Sequence, residues 1–242
     1  MKVFDYDKFA EADYERDFWT SKEYEDRVER MALERLLPKS GDSIIDIGGG
    51  YGRLTAMYVD RFKSATVFYY AKSLLDKAKD KWGARDNVKF VQGDLYKMPF
   101  EGNSFDCALM VRVLHHVENV PDALREIKRV LKPGGVFVME YANKRNLLEI
   151  MRLILGARNL DPFSKAPSAR SELYYNFHPA YIDEILDEIG FTKDVELSVS
   201  NFRHEVLKKI FGSAFLAKVE SILQQPLGPL KLSPSVFVLA KA

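Results

Sequence analysis

A single cysteine in 242 residues excludes an internal disulfide, and Cys107 sits in an apolar, strand-like run, so it reads as packing in a chain made for a reducing cytoplasm. No run of about twenty apolar residues is present, which excludes a membrane-spanning helix. The opening MKVFDYDKFAEADYE is acidic and aromatic and lacks the basic-then-apolar order of a secretory leader. Charge of one sign is missing as well: 36 basic against 35 acidic residues leave a formal +1, not the excess of a general nucleic-acid binder, so no nucleic-acid partner is expected. No cysteine, histidine or carboxylate set stands at metal-ligand spacing, and there is no internal repeat, low-complexity tract or second domain. What remains is 47% apolar content, enough for one large core.

The most informative stretch is Ile44 to Thr55, IIDIGGGYGRLT. A short apolar strand carrying Asp46 breaks into Gly48, Gly49, Gly50 and Gly52, which let the backbone turn tightly and lie close to a ligand. From Tyr51 to Arg61 the pattern predicts a helix whose first amides face the filled loop. A dinucleotide fingerprint would need a third glycine at position 53, where Arg53 stands.

Around this stretch, strands alternate with helices. Residues 4 to 37 read as helical and aromatic-rich; Ala65 to Tyr70 is a strand, Ser73 to Trp82 a helix, Val88 to Gln92 a third strand and Phe105 to Val111 a fourth. His115 and His116 follow at the carboxyl edge, where doubly wound sheets bind ligands, but as chain neighbours they are expected to point apart. Pro121 and Asp122 open a helix that Pro133 and Gly134 end, and Gly135 to Tyr141 is a fifth strand. Between Ala142 and Phe177 the alternation lapses: an apolar helix over Asn146 to Leu155 precedes a basic, proline-punctuated run. A helix from His178 to Ile189, a strand from Thr192 to Val199, a long helix from about His204 to Leu223 and a strand from Ser235 to Ala240 complete the chain.

Asp46 to Gly52, D-x-G-x-G-x-G, resembles the first motif of the class I S-adenosylmethionine-dependent methyltransferases, of the small-molecule, type 11 kind; QGDLYKMPF and REIKRVLKPGGVFVME resemble later segments of that family in the right order. The resemblance implies an α/β fold, a doubly wound, seven-stranded, mostly parallel sheet with the last strand antiparallel between the fifth and sixth. N-terminal helices and a helical insertion after strand 5 are further expectations. Residues 1–242 form one methyltransferase domain on this reading, with 1–40 as a helical flap and 143–177 as a lid-like insertion. The implied cofactor is S-adenosylmethionine, with S-adenosylhomocysteine as product, held by Asp46, Gly48, Gly49, Gly50, Gly52, Tyr69, Tyr70, Asp94, Leu95 and Val111.

One position departs from the family. Relatives close the second strand with an acid that accepts both ribose hydroxyls, and here Tyr69 stands there; a phenol cannot accept two such bonds as a carboxylate does. Methyl transfer demands in-line placement and a base only where the acceptor must lose a proton. The candidates for that base are His115, His116, Tyr141 and Glu140. The acceptor is expected to be a small molecule and the protein a cytoplasmic monomer or homodimer. Two alternatives stand beside transfer: a fold that binds the cofactor or its product without turnover, and a nucleotide-cofactor oxidoreductase.

Overall fold

The structure is a computed structural model, and it describes residues 19, 22–157, 161–171 and 174–242. The helices are α1 (Glu23–Leu36), α2 (Lys72–Trp82), α3 (Val120–Val130), α4 (Leu147–Ile154), α5 (Pro179–Ile189), α6 (Glu205–Phe211) and α7 (Ser213–Leu223). The strands are β1 (Gly41–Ile47), β2 (Phe62–Tyr69), β3 (Val88–Gln92), β4 (Phe105–Met110), β5 (Leu131–Ala142), β6 (Ser168–Ser171), β7 (Tyr174–Asn176), β8 (Thr192–Val199) and β9 (Ser235–Lys241).

Seven strands form one sheet in the order β3-β2-β1-β4-β5-β9-β8. The β1–β2, β1–β4, β2–β3 and β4–β5 pairs are parallel, and β9 runs antiparallel to both β5 and β8. The order turns back on itself at β1 and β4, so the carboxyl ends of these two strands flank the crevice where open α/β sheets bind ligands. An all-parallel dinucleotide sheet has no counterpart to β9.

Alternation along the central strands sends neighbours to opposite faces. Ile45, Ala108 and Met110 pack with the apolar stripe of α3, Ala123, Leu124, Ile127 and Val130, and with Ile182 and Leu186 of α5. Ile44, Cys107 and Leu109 pack on the other face with Tyr24, Val28, Ala32 and Leu33 of α1 and Leu216 and Ala217 of α7. Asn119 caps α3 by accepting from the Asp122 amide at 3.2 Å, with Pro121 in the first turn where its missing N–H costs nothing.

Three sequence expectations need correction. The helix expected over Tyr51 to Arg61 is a 3-10 turn at Thr55–Met57 set among irregular turns. The fully buried Tyr58 draws the chain inward, its hydroxyl donating to Asp46 Oδ2 at 2.8 Å and lying 3.0 Å from Thr55 Oγ1, and this tertiary anchor overrides the local helical pattern. Second, the long helix from His204 to Leu223 breaks at Gly212, whose φ of 76° and ψ of 146° only glycine adopts readily. Third, the irregular run after α4 holds the hairpin β6–β7. The expected helix before position 18 lies outside the described residues.

Candidate functional site

The chain passes the carboxyl ends of β1, β2, β3 and β4 around one cleft of about 570 Å³, a size usual for cofactor pockets. The glycine turn forms its floor. Gly48 and Gly50 have φ of 80° and 55°. A Cβ at Gly48 would lie 2.1 Å from Val113 Cγ2 and one at Gly49 2.8 Å from Val67 Cγ1, so packing requires both glycines. At Gly50 the nearest atom to such a Cβ is the Gly48 carbonyl at 3.9 Å, so a side chain there would occupy cleft space.

Of the residues singled out from the sequence, Asp46, Gly48, Gly49, Gly50, Tyr69, Tyr70, Asp94, Leu95, Val111, His115 and His116 all line this cleft. Tyr69 is the last residue of β2, with its ring centroid 4.8 Å from that of Tyr70. Asp94 is exposed just beyond β3 and accepts from the Tyr96 amide at 2.9 Å, the local bond of an aspartate turn. Gly52 does not reach the cleft lining: its carbonyl accepts from Trp82 Nε1 at 3.1 Å, and a Cβ there would strike the indole.

Two base candidates lie elsewhere. Tyr141 is fully buried in the core and its hydroxyl has no partner among the described residues, so it is not placed to meet an acceptor. Glu140 is buried with both oxygens engaged, accepting from Ser235 Oγ at 2.5 Å and from the Arg112 amide at 3.0 Å. The histidines, by contrast, do not diverge. The 3-10 turn Leu114–His116 brings their ring centroids to 4.1 Å, and Tyr174 on the β6–β7 hairpin covers them at 4.4 Å from His115 and 5.8 Å from His116. Burial, with His116, Arg112 and Lys22 nearby, holds His115 well below the usual imidazole range and therefore neutral.

Sequence reading missed a charged clamp on the cleft wall. Glu29 of α1 is buried and accepts from Arg53 Nη2 at 2.7 Å and from Arg112 Nη1 at 3.0 Å. Arg53 Nη1 also reaches Asp26 at 2.5 Å, and the Trp19 ring lies 3.9 Å from the Arg53 guanidinium and 5.3 Å from that of Arg112. The clamp joins the segment after the glycine turn, the end of β4 and α1. Although burial opposes its charge, Glu29 and Glu140 hold the Arg112 guanidinium above its ordinary range. Arg112 has φ of 60°, a left-handed backbone that its residue type does not advertise.

Burial pushes the Asp46 carboxyl up to about 6, against the Tyr58 hydrogen bond and the charge of Arg53. Desolvation, then Arg112, lowers Lys22 to about 8. Cys107 is buried in the core, and burial raises its thiol far above reactive range. Among the described residues no group of three or more potential ligands could hold a metal ion.

The cleft therefore offers a glycine cradle, flat aromatic and aliphatic walls at Phe68, Tyr69, Leu74 and Tyr96, a carboxylate at Asp94 and cations at Arg53 and Arg112. A nucleoside bearing a charged amino-acid tail fits this donor set.

Comparison with known proteins agrees with that chemistry. Residues 45–139 match the family described as a methyltransferase domain. The ubiquinone/menaquinone biosynthesis C-methyltransferase UbiE of Pseudomonas fluorescens is 36% identical over 49% of this chain and 49% of its own, so the chain spans about half the length of the curated relatives it matches. Among solved structures, an S-adenosylmethionine-dependent methyltransferase of Thermotoga maritima superposes with a TM-score of 0.65 at 20% identity, covering 98% of this chain and 97% of that one. The methyltransferase in complex with the Trm112 methyltransferase activator of Haloferax volcanii gives 0.69 at 18% identity over 100% of this chain and 99% of that one. At such identities the likeness concerns the fold alone.

Proposed function

We infer, for a chain that belongs to the class I S-adenosylmethionine-dependent methyltransferases, transfer of a methyl group from S-adenosylmethionine to a small-molecule acceptor in this cleft. The single observation that carries the reading is convergence: the glycine turn, Tyr69, Asp94 with Leu95, and Val111 come from four strand ends and line one cavity.

The donor brings an already activated methyl on its sulfonium, so the protein's work is placement and exclusion of water. Gly50 leaves room for close approach of the aminoacyl portion, and Asp46 beneath it orients that contact. Asp94 would take the exocyclic amine of the base and Leu95 would face its ring, both lining the cleft. Tyr69 would offer the ribose a single hydroxyl where relatives offer a carboxylate that accepts two bonds. On the acceptor side, a neutral His115 covered by Tyr174 can accept a hydrogen bond, and His116 forms the adjoining wall.

Incubation with methyl-labelled S-adenosylmethionine and a whole-cell extract, followed by measurement of label in the small-molecule, protein and nucleic-acid fractions, tests this function. Label in a small molecule, lost in the Gly50→Val variant, is expected; label confined to protein or nucleic acid would overturn the acceptor class. Tyr69 favours a second reading, binding without turnover. Tight cofactor binding with no labelled product from any fraction would establish it.

A further inference from the structure

Two helices of this protein expose apolar side chains to solvent. In α4 the buried side chain is Glu149, while Leu147, Met151, Ile154 and Leu155, spaced i, i+4, i+7 and i+8 and so on one face, are 49–77% exposed. In α6 no residue is buried as a whole, yet the Lys208 side chain is only 9% exposed, gripping Glu25 and Glu205, and Val206, Ile210 and Phe211 face solvent. Phe211 stacks on the exposed Phe215 with ring centroids 6.1 Å apart, which carries the apolar surface into α7. A globular helix buries its apolar face, so exposure of two such faces marks an interaction surface.

Topology puts both at one edge. β5 and β8 are each antiparallel to β9, hence parallel to one another and separated by one strand, about 10 Å at the usual strand spacing. α4 follows the carboxyl end of β5 and α6 that of β8, at the sheet edge where the cleft opens.

Charge identifies the partner. Residues 144–170 hold six basic and two acidic side chains, and 203–218 hold four basic and one acidic, whereas the whole chain has a formal charge of only +1. Lys144 is buried on the Ala166 carbonyl and Ser168, Arg152 and Lys165 pair with Glu149 and Glu184, and Lys208 is held by Glu25 and Glu205, so among the described residues the positive charge turned outward beside the apolar faces is that of Lys209 on α6 and Lys218 on α7, both exposed. A second copy docked on the same face would oppose like charges. Aliphatic and aromatic side chains flanked by bases fit a bilayer surface with anionic headgroups, which takes up the first and attracts the second.

We propose that α4 and α6 form a peripheral docking surface for an anionic lipid bilayer, which holds the mouth of the cleft against the membrane. The surface is independent of which acceptor the cleft takes.

Flotation of the protein with vesicles of phosphatidylcholine alone, or mixed with phosphatidylglycerol, tests it. The mixed vesicles should carry the protein and the neutral ones far less, with release on raising the salt. Ile154→Glu and Ile210→Glu should each weaken partitioning about tenfold, and Lys209→Glu with Lys218→Glu should abolish the preference for phosphatidylglycerol. S-adenosylhomocysteine affinity, read separately, should stay unchanged in these exposed-site variants, which shows that they fold. No partitioning into mixed vesicles, equal partitioning into both kinds, or loss of a dimer by light scattering in the isoleucine variants would overturn the proposal.

Discussion

Asp46 stands at the end of β1 as a buried acid whose charge the fold tolerates poorly. Its carboxyl titrates near 6 in the folded protein against a reference of 3.8, so between those values the native state binds more protons than the unfolded one and stability falls as pH rises. Asp46→Asn keeps an oxygen for the Tyr58 hydroxyl and removes the charge. The variant should match the parent below about pH 4 and be more stable above pH 6, by up to roughly 3 kcal/mol, in urea unfolding followed at both pH values. The same substitution should weaken cofactor binding. No gain at high pH would mean that the carboxylate is better compensated than its burial indicates. At Tyr69 the expectation has the opposite sign for affinity: Tyr69→Asp should tighten S-adenosylhomocysteine binding about tenfold by restoring a charged acceptor for the ribose, and unchanged or weaker binding by a folded variant would place that phenol in packing. The glycines of the turn were legible because few residues adopt a positive φ cheaply. Arg112, in the same backbone region, left no such sign, since an arginine there depends on the amide bond to Glu140 from a strand far along the chain.

Strands and amphipathic helices follow local pattern closely: Val88–Gln92 and Thr192–Val199 have the bounds their composition predicts. The misread elements are those in which a distant side chain decides. Tyr58 unwinds the predicted helix after the glycine turn by bonding to Asp46, and nothing between Tyr51 and Arg61 encodes that partner. The helix after β8 is interrupted by Gly212, and a glycine inside a helical pattern is tolerated often enough that the sequence alone does not announce a break. α1 is fastened to the cleft in a way its periodicity hides, because Glu29 occupies a buried position among apolar neighbours and works by joining Arg53 and Arg112. Glu29→Gln leaves two guanidinium groups with half their counter-charge. It should lower stability by about 2 kcal/mol, discounted from a fully buried pair because Arg112 is partly exposed, and should weaken cofactor binding as the cleft wall loosens. Retained stability in chemical denaturation would show that the clamp is incidental.

For the whole molecule, the sheet order is the feature on which site and family agree. The reversal between β1 and β4 and the antiparallel β9 were legible as an ordered series of motifs, whereas the acceptor was not, since methyl transfer asks for placement rather than for a fixed set of side chains. Among the described residues no helix is long and apolar enough to cross a membrane. Saturation with S-adenosylhomocysteine at about a hundredfold its dissociation constant should stabilise the fold by about 2.7 kcal/mol, which for a chain of this size raises the melting temperature by roughly 5–10 °C. The most direct measurement is calorimetric titration of the protein with S-adenosylmethionine, S-adenosylhomocysteine and the nicotinamide dinucleotides. One-site binding of both sulfur nucleosides, absent in Gly50→Val and weakened in Asp94→Ala, with no heat from the dinucleotides, is predicted. Binding of a dinucleotide in preference, or sulfur-nucleoside binding untouched by both substitutions, would contradict it.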